Sequence, residues 1–209
     1  MRSEAREKRA EEIEAAAYAV LEAKGYAGLS MLAVARAAKA SNETLYRWYG
    51  DKLGLFEALI ARNTEVVEEA LERGRDADAL LELERLGPVL LGMVLGPRAV
   101  ALNRAAAADD SGKLGRALGR IGRETVGPWV VGIMARAIAA GQLGGGSSSA
   151  GAQDSAQDSA EEMAEVWFAL LIGDTQVRRV TGAMDAPDED WIAARAEAAL
   201  GRLRRVFAV

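Results

Sequence analysis

The chain has 209 residues, half of them hydrophobic, with 26 Lys or Arg against 31 Asp or Glu and neither Cys nor His. This length and apolar content suffice for one or two buried cores. Without Cys or His there is no disulfide framework, no thiolate metal site and no usual nucleophile-base pair, which leaves carboxylates, Lys and Tyr as candidate catalytic groups. An enzyme is therefore not expected, and neither a cofactor nor a bound metal is. No apolar run reaches the roughly eighteen residues of a membrane span, and the charged opening MRSEAREKRAEE has no apolar segment behind it, so a cytoplasmic protein is expected.

The pattern is helical almost throughout. A first helix is predicted from about Glu4 to Lys24, with Ile13, Ala16, Ala17, Val20 and Leu21 as its buried stripe and Lys24-Gly25 as its stop. Arg2, Arg6, Lys8 and Arg9 near its start are interleaved with Glu4, Glu7, Glu11 and Glu12. That mixture suits a solvated helix face better than a phosphate-binding arm. A short helix capped by Ser30 follows, on which Met31, Leu32, Val34, Ala35 and Ala38 share one face. After a break at Lys39 to Ser41, a second compact helix carries Leu45 and Tyr49 one turn apart. The result is a helix-turn-helix pattern.

The second helix is too short to be stable alone, so its neighbours must hold it, and its outward residues are free for other work. Asn42, Glu43, Thr44 and Arg47 are polar at its amino-terminal half, where a recognition helix meets base edges. Asn pairs with adenine, Arg with guanine, Glu accepts from cytosine, and the Thr methyl touches thymine. Tyr46, Trp48 and Lys52 offer donors that phosphate oxygens accept. Helix-turn-helix corners also occur in all-α proteins that bind no DNA, so the pattern alone is a hypothesis.

The run GYAGLSMLAVARAAKASNETLYRWYGDKLGLFEAL, from Gly25 to Leu59, resembles the signature of the TetR family of bacterial transcriptional regulators, most closely in the block TLYRWYGDK. The resemblance implies that Ser30, Tyr46, Trp48 and Lys52 contact phosphates and that Asn42, Glu43, Thr44 and Arg47 face the bases. One position departs from the family pattern: the turn carries Lys39 where Gly, which tolerates positive φ cheaply, is usual. Lys39 could itself add a phosphate contact.

A long helix begins at the cap Asp51, with Leu53, Phe56, Ile60, Asn63 and Val67 along one side and Leu55, Leu59 and Val66 along another. Divided after Asn63, the first part of the chain carries 10 basic and 9 acidic residues, net +1, and the remainder 16 and 22, net −6. A near-neutral head can present a local basic face while an acidic body repels DNA.

Further helices are predicted near Asp78 to Leu95, Pro97 to Ala108, Gly112 to Thr125, Pro128 to Ala140, Ala160 to Gly182 and Asp188 to Ala208. Pro97 and Pro128 suit first-turn positions, whereas Pro88 predicts a kink or a break after Leu86. Residues 144–159 are low in complexity and predicted to form a flexible loop. Asp109, Asp110, Glu124 and Asp174 could serve an enzyme by residue type alone, but capping and solvated surface suit them better.

Met163, Val166, Trp167, Leu170 and Leu171, then Trp191, Ile192, Ala199, Leu203, Val206 and Phe207, form stripes that two C-terminal helices could present to a second copy or bury within one chain. The segment FALLIGDTQVRRVTG resembles the C-terminal part of AefR-like TetR regulators, which implies that these helices dimerise. The middle helices carry Leu90, Met93, Val94, Leu102, Asn103, Trp129, Ile133 and Met134, a set compatible with an apolar effector pocket and equally with plain core.

The expected architecture is all-α: a three-helix helix-turn-helix DNA-binding head (1–50), a connecting helix (51–75) and a C-terminal helical body (76–209) for dimerisation and effector binding. The expected function is that of a homodimeric repressor of a palindromic operator, released by a small apolar or amphipathic molecule. A helical binding or carrier protein without DNA activity is the alternative.

Overall fold

The computed structural model describes residues 2–74, 78–144 and 152–209, and all regular structure among them is helical. The helices are α1 (Arg2–Gly28), α2 (Met31–Ala37), α3 (Asn42–Tyr49), α4 (Lys52–Arg73), α5 (Ala79–Leu95), α6 (Pro97–Ala107), α7 (Lys113–Leu118), α8 (Glu124–Ala139), α9 (Ala152–Ile172), α10 (Thr175–Thr181) and α11 (Glu189–Val206). No single helix among the described residues is long and apolar enough to cross a membrane.

The chain forms two compact units, residues 1–63 with 97–122, and residues 64–96 with 123–209. In the first, Ile13, Ala17 and Leu21 of α1 pack with Val34 and Ala35 of α2, Leu45 of α3 and Leu55, Phe56, Leu59 and Ile60 of α4. α6 and α7 join them through Ala101, Leu102, Ala105, Leu114 and Ala117. The units thus depart from a boundary at residue 76: Leu102 and Leu114 bury apolar area against the head core. Leu32, expected on the buried face of α2, is 48% exposed.

Local signals explain the head's elements. Gly25 has non-helical φ and ends the regular part of α1, and Ser30 Oγ accepts the Ala33 amide at the start of α2. Lys39 is the described non-glycine residue with positive φ, at 49°, and its carbonyl accepts a 2.8 Å bond from Arg9 Nη2. Ser41 caps α3 by accepting the Thr44 amide at 3.0 Å, and Asp51 Oδ1 accepts the Gly54 amide at 2.8 Å. A Cβ on Gly54 would lie 2.0 Å from the Tyr49 carbonyl oxygen, so only glycine permits the tight step from α3 into α4.

Left-handed backbone strains a side-chain-bearing residue by about 1 to 2 kcal/mol, and the entropy of an unfolded glycine takes back about half of any relief. Lys39→Gly is therefore expected to stabilise the protein by about 0.5 to 1 kcal/mol, since the Arg9 bond to the carbonyl survives. A thermal-unfolding midpoint that falls in the variant would contradict this.

In the second unit α5, α8, α9 and α11 surround a core containing Leu83, Leu86, Leu91, Val130, Met134, Met163, Trp167, Leu171, Ala199 and Leu203. α5 runs unbroken through Pro88, and α8 through Pro128. Neither the predicted break after Leu86 nor the helix end at Thr125 occurs. Each proline deprives the carbonyl four residues earlier of its partner, and those residues, Glu84 and Glu124, are exposed where solvent can satisfy it. A π-helical turn, Gly119–Arg123, occupies the glycine-rich stretch before α8.

Part of the predicted flexible loop is helix. Residues 152–159 form the start of α9, consistent with its Ala and Gln content and with a 2.8 Å bond from Gln157 to Glu161 one turn on. Residues 145–151 lie outside the described residues. Gly144 is pinned, its amide donating to the Phe207 carbonyl at 2.8 Å. At the other end of α9, Gly173 with φ of 52° separates α9 from α10, where one helix was predicted across residues 160–182.

Candidate nucleic-acid interface

α3 buries Leu45 completely and turns Asn42, Glu43, Tyr46 and Arg47 outward, Tyr46 being 51% exposed. Thr44 is half-buried, and its hydroxyl lies 2.8 Å from Ser41 Oγ within the cap. Trp48 is half-buried, with the Arg6 guanidinium 5.5 Å over its ring and Tyr49 in edge contact. Burial, reinforced by the Glu14 carboxylate, pushes the Tyr49 phenol up to about 12. Exposed Lys39 stands in the turn, and Ser30 spends its hydroxyl on the α2 cap.

Lys52 is held inward. Its ammonium donates to the Tyr26 carbonyl at 2.5 Å and lies 3.6 Å from the centre of the Tyr26 ring. Burial draws its pKa below the ordinary lysine value, against the opposing pull of the Asp109 carboxylate. Asp109 is engaged in capping: its oxygens accept the Ser111 and Leu114 amides at 3.2 and 2.9 Å, which holds its carboxyl below the usual range.

The structural units sharpen the charge asymmetry. Residues 1–63 and 97–122 together carry 15 Lys or Arg and 11 Asp or Glu, net +4, and the rest carry 11 and 20, net −9. α6 and α7 bring Arg98, Arg104, Lys113, Arg116 and Arg120 to the head unit. Two head arginines are committed to ion pairs, Arg62 with Glu7 and Glu14, and Arg120 with Glu57.

The residues predicted to line a pocket do not come together. Leu102 is buried in the head core and Asn103 bonds back to the Ala99 carbonyl, both in the first unit. Met93, Trp129, Ile133 and Met134 belong to the second, where Met134 is plain core. Trp129 and Ile133 do line a cavity of about 530 Å³, with Leu71, Pro128, Glu82 and Arg136. Glu82 and Arg136 form an ion pair there, and sequence reasoning missed both. The available signal was an acid within the apolar stripe of α5.

The predicted interface residues divide as well. Trp167, Leu171, Ala199 and Leu203 are buried in the body's own core, so their side chains are not available to a second copy; α9 and α11 bury these stripes against each other and against α5. Leu170 and Ile192 are half-buried and Val206 is exposed.

A helical head presenting a capped helix-turn-helix, with a separate helical body behind it in sequence, has the fold of TetR-type regulators. Residues 13–59 match the family described as bacterial regulatory proteins, tetR family, so the chain carries a TetR-type N-terminal domain. Solved structures match along nearly the whole chain. A putative TetR-family transcriptional regulator from Mesorhizobium loti is 22% identical with a TM-score of 0.74, over 97% of this chain and 98% of its own. A TetR transcriptional regulator from Agrobacterium tumefaciens is 28% identical, TM-score 0.70, over 95% and 94%. The transcriptional regulator FadR from Bacillus subtilis, in complex with stearoyl-CoA, is 14% identical, TM-score 0.70, over 92% and 96%. No curated protein sequence matches.

Proposed function

We propose that this protein is a DNA-binding transcriptional regulator that acts as a homodimeric repressor of a palindromic operator and is released by a small-molecule effector. The observation that carries the reading is the outward face of α3: Asn42, Glu43 and Arg47 are exposed on a capped helix whose opposite face, Leu45, is fully buried. Asn42 and Arg47 supply base-edge partners, Glu43 an acceptor, and Thr44, its hydroxyl tied to the cap, its methyl. Tyr46, Trp48, Lys39 and Lys52 supply phosphate contacts, which Lys52 makes by leaving the Tyr26 carbonyl. The net positive head unit supports the same reading.

Two-fold symmetry is supported by the geometry of operators, since two recognition helices must reach successive major grooves. The half-buried and exposed residues Leu170, Ile192 and Val206 remain the candidates for that interface, and the segment 168–182, folded as the end of α9 and α10, is read as AefR-like. An amphipathic effector is supported by the body cavity and by the stearoyl-CoA carried by the Bacillus subtilis relative of the same fold. Its binding favours a conformation whose heads no longer fit the operator.

Fluorescence anisotropy with the upstream intergenic duplex and a scrambled duplex, over a salt series, tests the reading. Tight binding confined to the first duplex is expected. Equal, weak binding to both would favour a carrier protein.

A further inference from the structure

The body cavity has apolar walls and a charged floor. Leu71 of α4 and Trp129 and Ile133 of α8 line it, and Glu82 of α5 stands among them, only 7% exposed. Its ion-pair partner Arg136 has a side chain that is 51% exposed. The negative charge is therefore fixed in the buried part of the site, and the positive charge sits on a long arm at the rim.

We propose that this cavity takes an amphipathic cation, with Glu82 as its counter-charge, the apolar walls and the Trp129 ring holding its body, and Arg136 standing in for the ligand's positive group when the site is empty. This deepens the effector reading above by naming the chemical class, and it rests on that reading for its regulatory meaning alone.

The asymmetry of burial decides the sign. A buried carboxylate is costly unless paired, whereas a half-exposed guanidinium is readily solvated. An incoming cation relieves Arg136 of its partner and leaves no buried charge uncompensated. An incoming anion that drew Arg136 away would strand Glu82, at a cost a ligand must overcome. Trp129 adds the attraction of a ring face for a cation. The field of the body unit, net −9, acts in the same direction.

The test uses tetraphenylphosphonium and tetraphenylborate, ions of the same shape and opposite charge, titrated calorimetrically into the full-length protein in sodium buffer. The phosphonium is expected to bind at least about tenfold more tightly than the borate, a preference of about 1.4 kcal/mol. Glu82→Gln is expected to abolish the preference. Arg136→Gln, at a half-exposed position that does not threaten folding, is expected to strengthen phosphonium binding by removing the competing guanidinium. Absent phosphonium binding, tighter borate binding, or a phosphonium affinity unchanged or weakened in Arg136→Gln would each overturn the proposal. Operator anisotropy on the same samples, without either ion, reports on the regulator reading separately: specific DNA binding with no cation preference sinks the ligand class alone, and cation binding without DNA binding sinks the regulator alone.

Discussion

Trp167→Ala is expected to destabilise the body by about 3 to 5 kcal/mol, the cost of emptying a fully packed aromatic site. Trp167 is 1% exposed, stacks at a tilt on Phe168 with centroids 5.4 Å apart, and lies beside Gly87. A Cβ added at Gly87 would come within 3.8 Å of Trp167 and within 3.1 Å of Ala196 Cβ, so α5 and α11 already close tightly around the indole. Little collapse can fill the hole. The measurement is the urea midpoint at several protein concentrations. If Trp167 served mainly to hold two copies together, the loss would appear as weakened association, with protomer stability intact. A large drop in midpoint that persists at every concentration is the expected result, and its absence would show that the indole is not core.

Arg47→Ala is expected to reduce discrimination between operator and random DNA by about 1 to 3 kcal/mol, the worth of a bidentate base contact. Arg47 is exposed on α3 and no described hydrogen bond ties it down, so its loss should leave the folding midpoint within about 0.5 kcal/mol of wild type. Lys52→Ala is expected to behave differently on both counts. Its loss should weaken binding to every duplex alike and lower the salt slope by about one. It should also cost stability, because the Lys52 ammonium joins the start of α4 to the Tyr26 carbonyl and ring. Equal losses on operator and scrambled DNA for Arg47→Ala would remove its role as a base reader.

The head was legible because its signals are local. Ser30, Ser41 and Asp51 cap the helices they immediately precede, and Leu45 repeats against Val34 and Ala35 across a short turn. Lys39 could be marked as a misfit from the sequence because positive φ has a known preference for glycine, and it does adopt φ of 49°. Gly54 gave no such sign: its need arises only when the Tyr49 carbonyl closes on it.

In the body the same kind of reading failed. An apolar stripe specifies that a face is buried and is silent about what buries it. Trp167, Leu171 and Leu203 satisfy their stripes within one chain, and Leu102 satisfies its own in the head. The helical start of α9 was hidden because a polar Ala-Gln-Asp-Ser composition is compatible with either loop or helix.

By itself, then, the sequence determined the all-helical class, the helix-turn-helix with its caps and outward polar residues, and the unequal charge of the two ends. These depend on contacts within a few residues, whose energies are set by neighbours in the chain. Only the tertiary structure decided that α6 and α7 join the head and raise its charge to +4, that the C-terminal stripes are core, and that Glu82 meets Arg136 across an apolar cavity. Those outcomes depend on which of several equally apolar faces meet, a choice made by packing the whole unit to close density.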